Sequence, residues 1–80
     1  MSDKTSHRRI IIKGTVQGVG FRPHVYNLSI AHDIKGSVLN SSQGVIIEAE
    51  GTYANVDAFI DDLKNSPPPL ANISSFDVLE

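Results

Sequence analysis

A glycine-rich segment with one arginine is the part of this chain whose residue types could do chemistry. The segment reads GTVQGVGFRP over residues 14–23, between a β-branched run and a run with helical spacing. Glycines let successive backbone N–H groups converge on one anion, and a helix N-terminus carries a partial positive charge. Arg22 adds a guanidinium whose fork matches two phosphate oxygens. These residues allow a loop that binds a phosphate-sized anion, although the same composition is typical of a plain turn.

Two better-known phosphate motifs do not match this segment. No Gly-Lys-Ser/Thr follows the glycines, so the segment is not a Walker-A loop. After Gly18 and Gly20, the third glycine of the dinucleotide fingerprint would fall where Pro23 stands.

Six elements must position this loop. Apolar spacing predicts strands over residues 8–16, 35–40, 44–50 and 73–79. It also predicts a helix over residues 22–33, with Pro23 in its first turn, and a second helix that Thr52 caps and that ends before three prolines. With right-handed crossovers, this order predicts an α+β fold. The expected architecture is a ferredoxin-like βαββαβ sandwich, an antiparallel sheet with two helices on one face.

Three local patterns refine this prediction. Residues 40–44 have turn chemistry and make the second and third strands a hairpin. In the third strand Val45, Ile47 and Ala49 face one way, and the opposite face has the residues Ile46, Glu48 and Glu50. This alternation indicates one covered face and one wetter face. Ile73 is out of phase with Phe76 and Val78, so we expect it to precede the last ladder or to lie at a bulge.

Composition sets further limits on function. The chain has 80 residues and a formal net charge of −2. It has no cysteine, and this absence excludes a disulfide framework and a zinc–thiolate site and fits a reducing, cytoplasmic compartment. Its apolar runs are too short to span a bilayer, and its charge gives no footprint for nucleic acid. We expect a single domain over residues 8–80 after a flexible tail of residues 1–7, with neither a membrane nor a nucleic acid as partner.

Two motifs resemble signatures of the acylphosphatase family. The stretch VQGVGFR at residues 16–22 resembles the family's phosphate loop, and GSVLN at residues 36–40 resembles its second signature, which ends in the catalytic asparagine. The separation of Arg22 and Asn40 (40 − 22 = 18) also matches the family pattern. The resemblance covers residues 10–78.

The resemblance implies roles for individual residues. The phosphoryl oxygens would be bound by the backbone amides of Gln17, Gly18, Val19, Gly20, Phe21 and Arg22. Arg22 would also stabilise the charge of the phosphoryl group in the transition state, and Asn40 would orient the attacking water. This chemistry uses no metal, no cofactor and no covalent nucleophile. It works by positioning and electrostatic stabilisation.

Two further stretches are similar to the N-terminal acylphosphatase-like domains of HypF carbamoyltransferases, which help to mature nickel–iron hydrogenases. They read FRPHVYNL at residues 21–28 and PPPLANI at residues 67–73. The implied substrate is carbamoyl phosphate, hydrolysed to carbamate and phosphate. The carbamate would pass to the remaining domains of such a protein and then to a cysteine of an acceptor protein. The family usually has one more edge strand, which is not evident before Glu80.

Three alternatives remain open at this point. The chain could be a stand-alone acylphosphatase that hydrolyses general acyl phosphates, or a phosphate-binding module without turnover. An RNA-recognition domain of the same fold is disfavoured because residues 45–50 lack the stacking aromatics it needs.

Other conspicuous side chains have plainer interpretations. We expect Phe21 to be a core anchor and Tyr53, Phe59 and Phe76 to be core or core-edge residues. His24 is expected to be a solvent-facing or partly buried helix residue. His7 and His32 have no metal-binding spacing.

Overall fold

The computed structural model describes residues 4–16 and 20–79 and contains the six elements in the predicted order. They are β1 (Thr5–Thr15), α1 (Phe21–Ala31), β2 (Lys35–Ser41), β3 (Gly44–Thr52), α2 (Tyr53–Asn65) and β4 (Asn72–Leu79). The strands form one sheet in the order β2-β3-β1-β4, and each neighbouring pair is antiparallel. The predicted ferredoxin-like α+β sandwich is therefore confirmed.

The core lies between the two helices and one face of the sheet. Alternate residues of the central strands are buried, and Ile10 of β1 is the cross-strand partner of Ile47 of β3. The helices bring Val25 and Phe59 to the same cluster. Strand alternation puts such residues on one face, which explains why the predicted pattern of Val45, Ile47 and Ala49 is buried throughout. No helix in the described residues is long and apolar enough to cross a membrane.

The first strand is longer than its sequence predicts. It begins at Thr5, so the prediction of a tail is wrong for Thr5, Ser6 and His7, which pair with the end of β3. Ser6 is buried and lies opposite Gly51. Pairing with the long third strand orders this polar segment, which the local composition could not indicate.

Helix α1 begins one residue before the predicted start and ends at Ala31. Pro23 is consequently the third helical residue. Phe21 and Val25 are buried, which confirms Phe21 as a core anchor. His32 ends the helix as its C-cap.

The hairpin between β2 and β3 is tighter than predicted. Its strands run to Ser41 and from Gly44, so only two residues form the turn. The Ser41 hydroxyl accepts a hydrogen bond from the Gln43 N–H at 3.0 Å and donates to the Gly44 carbonyl at 3.2 Å. Asn40 belongs to the strand rather than to the turn, and it pairs with Val45.

The second helix confirms both of its predicted ends. The Thr52 hydroxyl accepts a hydrogen bond from the Asn55 N–H at 3.1 Å, as an N-cap does. The helix ends at Asn65, and Ser66 is its C-cap before the prolines. Tyr53 is 50% exposed, so the prediction of a core or core-edge position is wrong for this residue; it lies at the first helical position, where the side chain reaches solvent.

The last strand contains the irregularity that Ile73 suggested. Lys13 pairs with Ser75 and Gly14 pairs with Ile73, so Ser74 is an extra residue in β4. This bulge confirms one of the two expected positions of Ile73. It places Ile73 and Phe76 against the core although their numbers differ by three.

Candidate active site

The N-terminus of α1 carries no side-chain cap within the described residues. Gly20 is the N-cap, with φ 81° and ψ 21°, a left-handed conformation that glycine adopts without a steric penalty. The first helical hydrogen bond is donated by the His24 N–H to the Gly20 carbonyl at 3.2 Å. The N–H groups of Phe21 and Arg22 precede that bond, so the helix itself gives them no acceptor.

Arg22 and Asn40 line the same small pocket beside this helix end. The pocket has a volume of about 120 Å³, and its other described lining residues are Val16, Gly20, Phe21 and Pro23. The fold therefore brings together the two residues for which the sequence predicts catalytic roles. Both side chains are exposed, so a solute can reach the guanidinium and the amide.

Asn40 owes its position to the sheet register. It is the cross-strand partner of buried Val45, and cross-strand partners share a face of a sheet. Its side chain therefore lies on the face that the helices cover. The hydrogen bonds of the Ser41 hydroxyl stabilise the turn that follows, so the end of β2 holds the Asn40 amide in a defined position.

The electrostatics of the pocket favour an anion. Arg22 is the only charged side chain among the described lining residues, and the first turn of α1 contains no acidic residue. A cation at a helix N-terminus is unfavourable because it meets the positive end of the helix dipole. A bound anion reverses this effect, since the helix end and the guanidinium then attract the same group.

Two buried side chains lie on either side of the glycine-rich segment that precedes the helix. Val16 is 1% exposed and Phe21 is 2% exposed, so both of these residues are part of the core. Gln17, Gly18 and Val19, for which the sequence predicts phosphate binding through backbone amides, lie outside the described residues. Gly20, Phe21 and Arg22 lie at the pocket.

The three histidines are separate from the pocket and from one another. His24 is half-buried, with its ring edge-to-face on Phe21 at 6.2 Å between centroids, which agrees with the expected partly buried position. His7 contacts Glu48 at 3.0 Å, and His32 contacts Asp62 at 2.6 Å. Within the described residues, no three His, Cys, Asp or Glu side chains group as metal ligands would.

Pro23 is a lining residue that the sequence patterns did not single out for function. The available signal was its position directly after the candidate catalytic arginine, but a proline there is equally typical of a helix start. Pro23 lines the pocket together with Arg22.

Comparison with known proteins assigns a family to this arrangement. The family model described as Acylphosphatase matches residues 8–80. The chain belongs to the acylphosphatase family. The acylphosphatase of Oceanobacillus iheyensis is 39% identical to it over 75 residues, which are 92% of this chain and 82% of that protein.

HypF proteins are also similar to this acylphosphatase domain. Carbamoyltransferase HypF of Rhizobium leguminosarum bv. viciae is 51% identical over 72 residues. Those residues are 90% of this chain but 9% of the length of that protein. The crystal structure of a full-length HypF in its phosphate- and nucleotide-bound form superposes with a TM-score of 0.94 and 42% identity. That match covers 98% of this chain and 10% of the HypF chain.

Proposed function

We propose that this acylphosphatase domain hydrolyses acyl phosphates, with Arg22 and Asn40 as its catalytic residues. The observation that carries the proposal is that both residues line one pocket at the N-terminal end of α1. A guanidinium and a helix N-terminus suit a phosphoryl group, and an amide nearby can hold a water molecule. Membership of the acylphosphatase family supports the same reaction.

In the proposed reaction, water attacks the phosphorus atom of the substrate. The phosphorus–oxygen bond to the acyl group breaks, and the carboxylate leaves with the electron pair while the proton of the water passes to the phosphate or to solvent. Arg22 and the backbone amides of residues 17–22 stabilise the charge on the equatorial oxygens. The Asn40 side chain orients the water. A carboxylate is already a good leaving group, so positioning and electrostatics are sufficient.

The proposed physiological substrate is carbamoyl phosphate, which would yield carbamate and inorganic phosphate. The similarity to HypF carbamoyltransferases over 90% of this chain supports this choice. The domain would then act as the N-terminal part of a HypF-like carbamoyltransferase in hydrogenase maturation, in the cytoplasm. Its partners would be the remaining domains of that protein and a cysteine-bearing carbamoyl acceptor.

A second candidate is a stand-alone acylphosphatase with broad acyl specificity. The similarity to the Oceanobacillus enzyme favours it, because that match covers 82% of the length of that protein. The two candidates share the site and the reaction, and they differ in substrate preference. A marked preference for carbamoyl phosphate over benzoyl phosphate supports the first candidate, and similar rates for both support the second.

The experiment measures release of inorganic phosphate from both substrates in the presence of EDTA. The wild type is compared with Arg22→Ala and Asn40→Ala, and with the matched controls Lys64→Ala and Asn65→Ala at the end of α2. We expect hydrolysis by the wild type and both controls. Arg22→Ala should lose both phosphate binding and turnover, whereas Asn40→Ala should bind phosphate and lose turnover.

Three results would contradict the proposal in different ways. If the wild type releases no phosphate but phosphate still protects it against thermal unfolding, the domain is a binding module. If Asn40→Ala keeps wild-type turnover, the asparagine does not orient the nucleophile. Equal loss of binding in both variants would make Asn40 a ligand for the phosphoryl group.

A further inference from the structure

Pro23 occupies a helical position at which its missing N–H group has a consequence for the pocket. An α-helix leaves four N–H groups without intrahelical acceptors, at the N-cap and the first three helical residues. In α1 these residues are Gly20, Phe21, Arg22 and Pro23. Proline has no N–H, so this helix end offers three donors instead of four.

The proline also acts on the backbone of Arg22. A residue before proline is disfavoured in the α conformation because the proline ring clashes with its backbone and β-carbon. Arg22 is nevertheless helical, as the second residue of α1. The conformation that presents the guanidinium beside the pocket is therefore less favourable than it would be before any other residue.

The fold itself does not require this proline. Position 23 is exposed and lies in the first turn, where most residues are tolerated and where no helical hydrogen bond depends on its nitrogen. Gly20 has no side chain that could accept a capping hydrogen bond from an N–H at position 23. Both effects of the proline act at the pocket, because Pro23 and Arg22 both line it.

We propose that Pro23 weakens the binding of inorganic phosphate by this pocket and thereby speeds release of the product. The proposal rests on the function proposed above, in which the substrate and the product share the same phosphoryl subsite. Tight binding in the ground state would hold the product and would not accelerate the chemical step. Removal of one donor and a less favourable Arg22 backbone both lower that ground-state affinity.

The test is calorimetric titration of inorganic phosphate into wild type, Pro23→Ala and Pro23→Gly. Both variants restore an N–H at position 23, and only alanine also favours the helix. We expect Kd to fall about fivefold in Pro23→Ala, which is the effect of about one additional hydrogen bond. Pro23→Gly should also bind phosphate more tightly than the wild type. Pro69→Ala, which changes an exposed proline before β4, is the matched control and should bind as the wild type does.

Steady-state kinetics give a second readout that a change of stability alone would not produce. In Pro23→Ala, KM and the product-inhibition constant of phosphate should fall together, while kcat stays level or falls. An unchanged or higher Kd for phosphate in Pro23→Ala would overturn the proposal. If the wild type neither binds phosphate nor hydrolyses acyl phosphates, the proposed function itself is overturned, so the two failures are distinguishable.

Discussion

Gly36 of β2 lies so close to Glu48 of β3 that a β-carbon at position 36 would overlap the Glu48 carbonyl oxygen. The glycine has φ +146°, a conformation that other residues rarely adopt. The close approach occurs on the strand that carries Asn40, four residues further along. Gly36 therefore fixes how β2 lies against β3, and through this pairing it contributes to the position of the candidate catalytic amide.

We predict that Gly36→Ala destabilises the domain severely. The added carbon must displace backbone rather than a flexible side chain, and the backbone conformation is strained as well. The expected loss in the free energy of unfolding is about 3 kcal/mol. Urea denaturation followed by circular dichroism measures it, and a loss below about 1 kcal/mol would mean that the strand pair adjusts more readily than its geometry indicates.

Gly20→Ala should separate local strain from steric overlap. Gly20 also has a positive φ, but a β-carbon added there would meet no atom of residues 4–16 or 20–79 within 4 Å, its own chain neighbours aside. We expect a loss of about 1 kcal/mol, the cost of the left-handed conformation for a residue with a β-carbon. Denaturation under the conditions used for Gly36→Ala gives the comparison. Equal losses in the two variants would contradict the steric argument.

Two serines provide a pair of opposite predictions. The Ser41 hydroxyl has hydrogen bonds to Gln43 and Gly44, whereas the buried Ser75 hydroxyl has no partner among residues 4–16 and 20–79. Ser41→Ala should lower the free energy of unfolding by about 1 kcal/mol. Ser75→Ala should leave it unchanged or raise it by up to about 1 kcal/mol, because a buried polar atom without a partner carries a desolvation cost. Thermal unfolding of both variants in parallel tests the signs.

The contact between His32 and Asp62 joins the end of α1 to α2. The two side chains approach to 2.6 Å, and the histidine ring also meets the buried ring of Phe59 edge-on. Asp62 is about half exposed, so solvent screens the interaction and its coupling energy should be about 0.5–1 kcal/mol. A double-mutant cycle with His32→Ala and Asp62→Ala measures this value. The same cycle with Asp61→Ala should give a coupling near zero.

The sequence was sufficient to predict the elements because several local signals agreed. Thr52 and the prolines after Ser66 mark both ends of α2, and the phase of Ile73 indicated a bulge. The polar start of β1 could not be predicted, since Thr5 and His7 become strand residues only by pairing with β3. The predicted turn was too long because Asn40 and Ser41 are residue types that favour turns. In the structure they pair with β3, and this strand pairing outweighs their local preference.

The sequence predicted candidate residues of the site, but it did not predict the shape of the pocket that they line. The motif resemblance identified Arg22 and Asn40, and the fold places both at one pocket. No sequence pattern indicated that Pro23 would be the third residue of α1 and part of the wall of that pocket. The position of Pro23 depends on α1 starting at Phe21. Phe21 is buried by residues from several elements of the core, which a local sequence pattern does not indicate.

The sheet order has a consequence for folding during synthesis on the ribosome. Strand β1 is synthesised first, yet its two neighbours are β3 and β4, and the last of these ends at Leu79. Its apolar run of residues 10–12 therefore lacks one of its hydrogen-bonding neighbours until the residues of β4 have been synthesised. An unpaired strand of this kind is a site for association between nascent chains. Early binding of a chaperone to residues 5–15 would protect the domain during this interval.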